Sequence, residues 1–375
     1  MRDRLQDELV VRRGPGGGPD GRARRWTTIC VAAAMGLVGV VVGIGIGVRH
    51  LTVDGISPIA LAALVGLVAG LALVVHAIRR AWAATPGWRR AFVVVAALLA
   101  VVFVAFPLTL AVMATNVPPT EVDARPADVG LEADTVVFTA ADGTELVGWY
   151  VPSRNGAAVA LLHGATSTRA AVLDHAVVLA DAGYGVLAYD ARGHGDSGGD
   201  AMDLGWWGED DLAGAVTWLA DQPDVDPGRI GALGLSMGAE QALGALGADP
   251  RLAAVVAEGA TGRTRADRAW LPRHLGGQIQ RGIDWVMFTA TDLLTAASPP
   301  ASLRDSVARA APRPALVIAA GSVGDESLAA EHIAAGAPDS VEVWVVDGAG
   351  HTGGLDAAPE EWADRVVGFL DAHLR

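Results

Sequence analysis

"RIGALGLSMGAEQALGALG", residues 229–247, changes its rhythm at one serine. Before Ser236 the residues are small and apolar, the composition of a short strand buried on both faces. After it, "MGAEQALGALG" has the spacing of a helix. The pentapeptide G-x-S-x-G, Gly234 to Gly238, spans the junction. In a strand–turn–helix of this kind the tight turn lifts the serine hydroxyl out at the C-terminal end of the strand. The new helix also opens with backbone N–H groups that lack partners. Ser236 is therefore the expected nucleophile.

A second match, "GDSGG" at 195–199, centres on Ser197. It lacks that context. A loop separates it from the strand ending near Asp190, and Gly198, Gly199 and Asp200 follow instead of a helix. Ser197 is expected to be structural.

A serine hydroxyl needs a base to take its proton, and the base needs an acid to orient it. His351 lies in "DGAGHTGG", directly after the strand-like "VEVWVV". Asp325 lies in "AAGSVGDES", directly after "PALVIAA", and Glu326 follows it. Either carboxylate could serve; Asp325, nearer the strand end, is the expected acid. Oxyanion donors are expected from the backbone: the Ala165 N–H after "LLHG" and the Met237 N–H next to the nucleophile. His163 itself reads as a packing residue of that turn.

Around these sites, short apolar runs alternate with helical stretches: "AAVALLHG", "YGVLAYDARG", "LAAVVAEGA" and the two just named. Such alternation implies a mostly parallel sheet with helices on both faces. "TVVFTAADGTELVGWYVP" reads as two strands joined at Asp142-Gly143. Residues 262–310 break the rhythm and carry Trp270, His274, Trp285 and Phe288, which suits a lid. The single cysteine, Cys30, excludes an internal disulfide and a cysteine metal site. No metal or organic cofactor is implied.

The first third differs. Apolar runs at 27–48, 56–75 and 91–114 carry no charge, and each is long enough to cross a bilayer as a helix. Gly39, Gly43 and Gly47 recur every four residues on the first, and Gly66 and Gly70 on the second, a spacing that lets helices approach closely. Residues 1–26 hold seven Arg and the 76–90 loop four, against Arg49 and Arg125 in the other two connections. Positive-inside bias puts residues 1–26, a basic tail, in the cytoplasm and everything after about 115 outside. Residues 115–130 read as a Pro- and acid-rich linker, and 131–375 as the α/β domain. A net charge of −14 argues against nucleic acid as a partner.

Together, "LLHG" (161–164), "YDARGHGDSGG" (189–199), "GLSMG" (234–238), the acid loop near 325 and "GAGHTGG" (348–354) resemble the α/β-hydrolase superfamily over 131–375. Within it the chain resembles the serine-aminopeptidase-like and Bem46-like membrane-anchored branches. The resemblance implies an α/β-hydrolase fold and a Ser236, Asp325, His351 triad acting on an ester-like or amide acyl bond through an acyl-enzyme. Acyl transfer, aminopeptidase-type cleavage and a non-catalytic membrane scaffold or sensor are the alternatives. The acid loop departs from the family spacing: Gly324 stands where Asp is usual, and the carboxylates come one and two residues later.

Overall fold

The computed structural model describes residues 19–53, 55–116 and 118–375. From Asp134 onward the chain builds one eight-stranded sheet in the order β1-β2-β4-β3-β5-β6-β7-β8. β1 (Asp134–Thr139) and β2 (Glu145–Val151) form the expected hairpin, with Thr139 paired to Glu145 around Asp142-Gly143. β2 also runs antiparallel to β4 (Gly185–Tyr189). From β4 the sheet is parallel through β3 (Ala158–Leu162), β5 (Ile230–Leu235), β6 (Leu252–Glu258), β7 (Ala315–Ala320) and β8 (Val341–Val346). This is the α/β-hydrolase arrangement.

Side chains that alternate along these strands feed two cores. One faces the helices Gly208–Ala220, Met237–Ala248, Leu303–Ala310 and Gly324–Ala334. The other faces Leu173–Asp181 and the C-terminal helix Pro359–Leu374, with Trp362 fully buried. Covering both faces is what lets the inner strands be apolar at every position. β5 sits near the middle, so the turn that follows it is held by neighbours on both sides.

The expected insertion is shorter than 262–310. A short 3₁₀ helix, Ala266–Trp270, and a long helix, Leu275–Leu294, stand off the sheet as a cap. Leu303–Ala310 belongs to the core instead: Leu303, Val307 and Ala310 are buried in it.

Three helices are long and apolar enough to cross a membrane: Gly21–Val53, Pro58–Ala84 and Gly87–Thr115. Each outruns the apolar run read from the sequence, and the first helix starts at Pro19, inside the expected tail. The rest of that tail, residues 1–18, lies outside the described residues. The first two helices touch through glycine. A Cβ on Gly43 would sit 2.3 Å from Leu67 Cβ, and one on Gly70 would sit 2.7 Å from the Gly36 carbonyl. Gly66, which the spacing also singled out, faces open space. The 115–130 segment is no free tether. Val122, Ala124 and Val129 pack on Trp149, Ala170 and Leu173 of the sheet domain.

The glycine contacts set a test. Gly43→Leu should force the first two helices apart and lower the melting temperature of the detergent-solubilised chain by several degrees, on the order of 2–4 °C per kcal/mol lost. Gly66→Leu should melt with the wild type. Equal melting of all three proteins would contradict this packing.

Candidate active site

The turn after β5 is forced by two near-contacts. A Cβ on Gly234 would lie 2.2 Å from the Gly238 carbonyl, and one on Gly238 would lie 2.5 Å from the Leu162 carbonyl. Strand, turn and helix close only if both positions lack a side chain. Ser236 between them takes φ 55° and ψ −115°, a conformation that costs a non-glycine residue about 1–3 kcal/mol. Its N–H donates to the Glu258 carbonyl at 2.8 Å, which fixes the turn to the end of β6.

Ser236 Oγ lies 2.8 Å from His351 Nε2. On the other side of the ring, His351 Nδ1 lies 2.6 Å from Glu326 Oε1. A Nδ1–H donating to the carboxylate leaves Nε2 to accept from the serine hydroxyl. The carboxylate that meets the ring is therefore that of Glu326 and not of the expected Asp325, which is exposed. The helix Gly324–Ala334 begins directly at this loop, and successive residues on a helix point about 100° apart. That turns Glu326 inward to 1% exposure and Asp325 out to solvent. The second oxygen of Glu326 accepts from the Ala320 N–H at 2.8 Å, so the carboxylate is pinned to the end of β7. Glu326 beside the ring holds the His351 pKa above the ordinary imidazole value of 6.5, and the carboxylates of Glu240 and Glu258 act in the same direction.

Glu258 was not anticipated, although a lone acid closing the apolar "LAAVVAE" was the available signal. It is buried at 2% exposure. Its two oxygens accept from the Gly354 N–H at 2.7 Å and from Trp362 Nε1 at 2.9 Å, which ties the His351 loop to β6. Glu240, one helical turn past Ser236, accepts from the N–H groups of Thr261 and Gly262 and so clamps the base of the cap. Burial raises the pKa of both carboxyls.

The loop after β3 runs beside Ser236, where a Cβ on Gly164 would come 3.4 Å from Ser236 Cβ. His163 accepts at Nε2 from the Ala191 N–H and donates from Nδ1 to the Gly164 carbonyl. Burial pushes its pKa down to about 3, so it stays neutral in that one tautomer. His194 likewise accepts from the Thr166 N–H. The Ala165 and Met237 N–H groups make no hydrogen bond among the described residues. Ser197 is spent on structure: its hydroxyl donates to the Asp190 carbonyl at 2.6 Å and accepts from the Val147 N–H at 2.9 Å. A groove of about 1510 Å³ between residues 119–135 and Trp149, Val151, Arg169 and Asp196 contains none of Ser236, Glu326 and His351. Among the described residues no group of three His, Cys, Asp or Glu is placed to hold a metal ion.

The family model described as X-Pro dipeptidyl-peptidase (S15 family) matches residues 122–352, more than half of the chain. An uncharacterized protein of Mycobacterium tuberculosis is 38% identical over 112 residues, 29% of this chain and 39% of that protein. The polyketide transferase grgF of a Penicillium species is 36% identical over 132 residues, 34% of this chain and 45% of that protein. The chain thus spans less than half the length of the curated relatives it matches. Among solved structures, an esterase of Pyrococcus furiosus superposes with a TM-score of 0.54 at 27% identity, covering 70% of this chain and 98% of that one.

If Glu326 orients the imidazole, Glu326→Gln should lower kcat on the order of 10⁴-fold with KM little changed, while Asp325→Asn should stay within about tenfold. The pH profile carries the same information. His351 must be neutral to act as a base, so kcat/KM should rise with pH through an inflection above 6.5. Glu326→Gln removes the main cause of that raised value and should move the inflection down. An inflection unmoved by Glu326→Gln and lowered by Asp325→Asn would return the acid to Asp325.

Proposed function

The chain belongs to the X-Pro dipeptidyl-peptidase (S15) family, within the α/β-hydrolase superfamily, and from that premise we propose that it is a membrane-anchored serine hydrolase acting on an ester-like acyl bond. The observation that carries this reading is the hydrogen-bonded line Ser236 Oγ, His351 Nε2, His351 Nδ1, Glu326 Oε1. Ser236 Oγ attacks the acyl carbon as its proton passes to Nε2. The carbonyl oxygen takes the negative charge and is met by the Ala165 and Met237 N–H groups, the latter at a helix N-terminus. The imidazolium gives its proton to the departing alkoxide, and the acyl group remains on Ser236. Water, deprotonated by the same ring, then releases the acid and restores the serine. Each cycle consumes one ester and one water and yields one acid and one alcohol.

Of two relatives, one is an esterase and the other a polyketide transferase; we take water as the acyl acceptor because His351 is open to solvent. The family description supports a peptide amide as a second reading, with an amine leaving in place of the alcohol.

The membrane part follows from the three apolar helices. Trp26, Trp82 and Trp88 are exposed at one end of the bundle, beside Arg79, Arg80, Arg89 and Arg90. Arg90 stacks over Trp82 at 5.1 Å. Aromatic residues with a cluster of arginines mark a cytoplasmic interface. Three crossings then place the hydrolase domain outside the cell membrane.

Two measurements check these claims. A fluorophosphonate probe should label the wild type and Ser197→Ala but not Ser236→Ala; labelling of Ser236→Ala at wild-type level would remove Ser236 from the mechanism. Alkaline phosphatase fused after Arg375 should be active and green fluorescent protein fused there dark. A bright fluorescent fusion would reverse the orientation.

A further inference from the structure

The reacting serine is built close against the outer ends of the apolar helices. Thr120, shortly after the third helix ends at Thr115, donates its hydroxyl to the Thr166 carbonyl at 3.1 Å. Thr166 is the residue after Ala165 and sits at φ 58°. Arg49, at the outer end of the first helix, brings Nη2 to 3.5 Å from Thr120 Oγ1. On the other side of the site, Met237 packs under Gly205, where a Cβ would meet Met237 Cγ at 2.8 Å. The short helix Asp203–Gly205 in turn touches Phe106–Thr115.

The cap completes this arrangement. Its helix Leu275–Leu294 lies along the third apolar helix, and a Cβ on Gly282 would come 2.9 Å from the Phe103 ring. Phe103 is 13 residues past Arg90, about 20 Å along a helix axis. In a hydrocarbon layer about 30 Å thick this is the depth of the outer leaflet. The cap helix suits that place. Leu275, Ile279, Trp285, Leu293 and Leu294 are exposed. Two of its three charges are covered locally: Arg281 donates to the carbonyls of Leu271 and Pro272, and Asp284 pairs with Arg268 and accepts from Gln280; the third, Asp292, is exposed in the last turn. An amphipathic helix of this kind sinks about 5–10 Å into the acyl boundary of a leaflet.

We infer that the site takes its substrate sideways from the outer leaflet, and that the substrate is a bilayer-resident ester of a long acyl chain. This rests on the serine-hydrolase and membrane readings above. The occupant of the exposed cap face is the bilayer itself, because that face is continuous with the helix that crosses it.

The test uses the full chain reconstituted in phosphatidylcholine vesicles, with umbelliferyl oleate as the bilayer ester and umbelliferyl acetate as the soluble one. Oleate ester placed in the same bilayer as the protein should be cleaved roughly tenfold faster or more than the same amount supplied in separate vesicles. The acetate should show no such dependence. Leu275 and Leu293 are 76% and 81% exposed, so charging them should not disturb the fold. Leu275→Asp/Leu293→Asp should keep acetate hydrolysis and fluorophosphonate labelling yet lose the same-bilayer advantage. Equal oleate rates from shared and separate vesicles would overturn membrane entry while leaving the hydrolase intact, and that comparison needs no variant. Absence of both acetate hydrolysis and labelling in the wild type would instead sink the hydrolase reading, and this inference with it.

Discussion

The close approach of β5 to the helix that follows it is the constraint from which the rest of the site descends. Gly234 and Gly238 have no room for a side chain, so the chain must reverse within the residues between them. Ser236 takes the strained conformation that results. Strain of about 1–3 kcal/mol persists only where the surroundings over-determine it. Here they do: the turn is hydrogen-bonded to the end of β6, and Gly238 is pressed against the end of β3. Leu233 and Leu235 on one side and Leu243 and Leu246 on the other are buried, each contributing about 1.5–3 kcal/mol. The strained residue is thus a small cost on a well-buried junction.

The loops around that turn are held by buried ion pairs and side-chain to backbone hydrogen bonds. Asp190 accepts from the backbone N–H groups of Arg169 and Asp196 and pairs with the Arg169 guanidinium, which also reaches Asp196 and stacks on Trp149. Arg192 joins Asp142, at the β1–β2 turn, to Asp211 on the neighbouring helix. The Asp142 pKa is lowered to about 2 chiefly by that hydrogen bond, whereas burial raises Asp211 to about 6. Removing one partner of such a buried pair strands the other and costs about 3–5 kcal/mol. This accounts for the density of charge in "YDARGHGDSGG". The stretch braces the surroundings of the Ser236 turn and takes no part in the proposed chemistry.

Much of this was legible in the sequence because it rests on local signals. Alternating strand and helix gave the layers, the glycine pentapeptide gave the turn, and the positions of Ser236 and His351 at strand ends gave their meeting. Ser197 could be set aside because no helix followed it. What was missed depends on rotation and contact. Asp325 and Glu326 differ by one residue, and only the start of a helix at Gly324 decides which of them faces inward. The departure from the family spacing was visible, but its consequence was not. Glu258 looks like the end of a strand until the distant Gly354 and Trp362 reach its carboxylate. Likewise the proline-rich segment 115–130 has the composition of a tether, yet its few apolar residues suffice to dock it on Trp149.

The distribution of charge around His351 shows why the carboxylates of this site lie where they do. The proposed step creates an imidazolium and an oxyanion together. Glu326 touches the ring, and the carboxylate of Glu258 is held by the loop that carries His351. Both favour the imidazolium. The same negative field would oppose an oxyanion, so the opposite side must supply positive potential. That potential comes from the N-terminus of the helix Met237–Ala248, which carries roughly half an elementary charge. Glu240 sits within that first turn and would cancel part of it. Its Oε1 is engaged by the Thr261 and Gly262 N–H groups, which draws its charge toward the base of the cap. Glu326 therefore stands with the base and the amides with Ser236, and the charge separation of the proposed reaction runs between them.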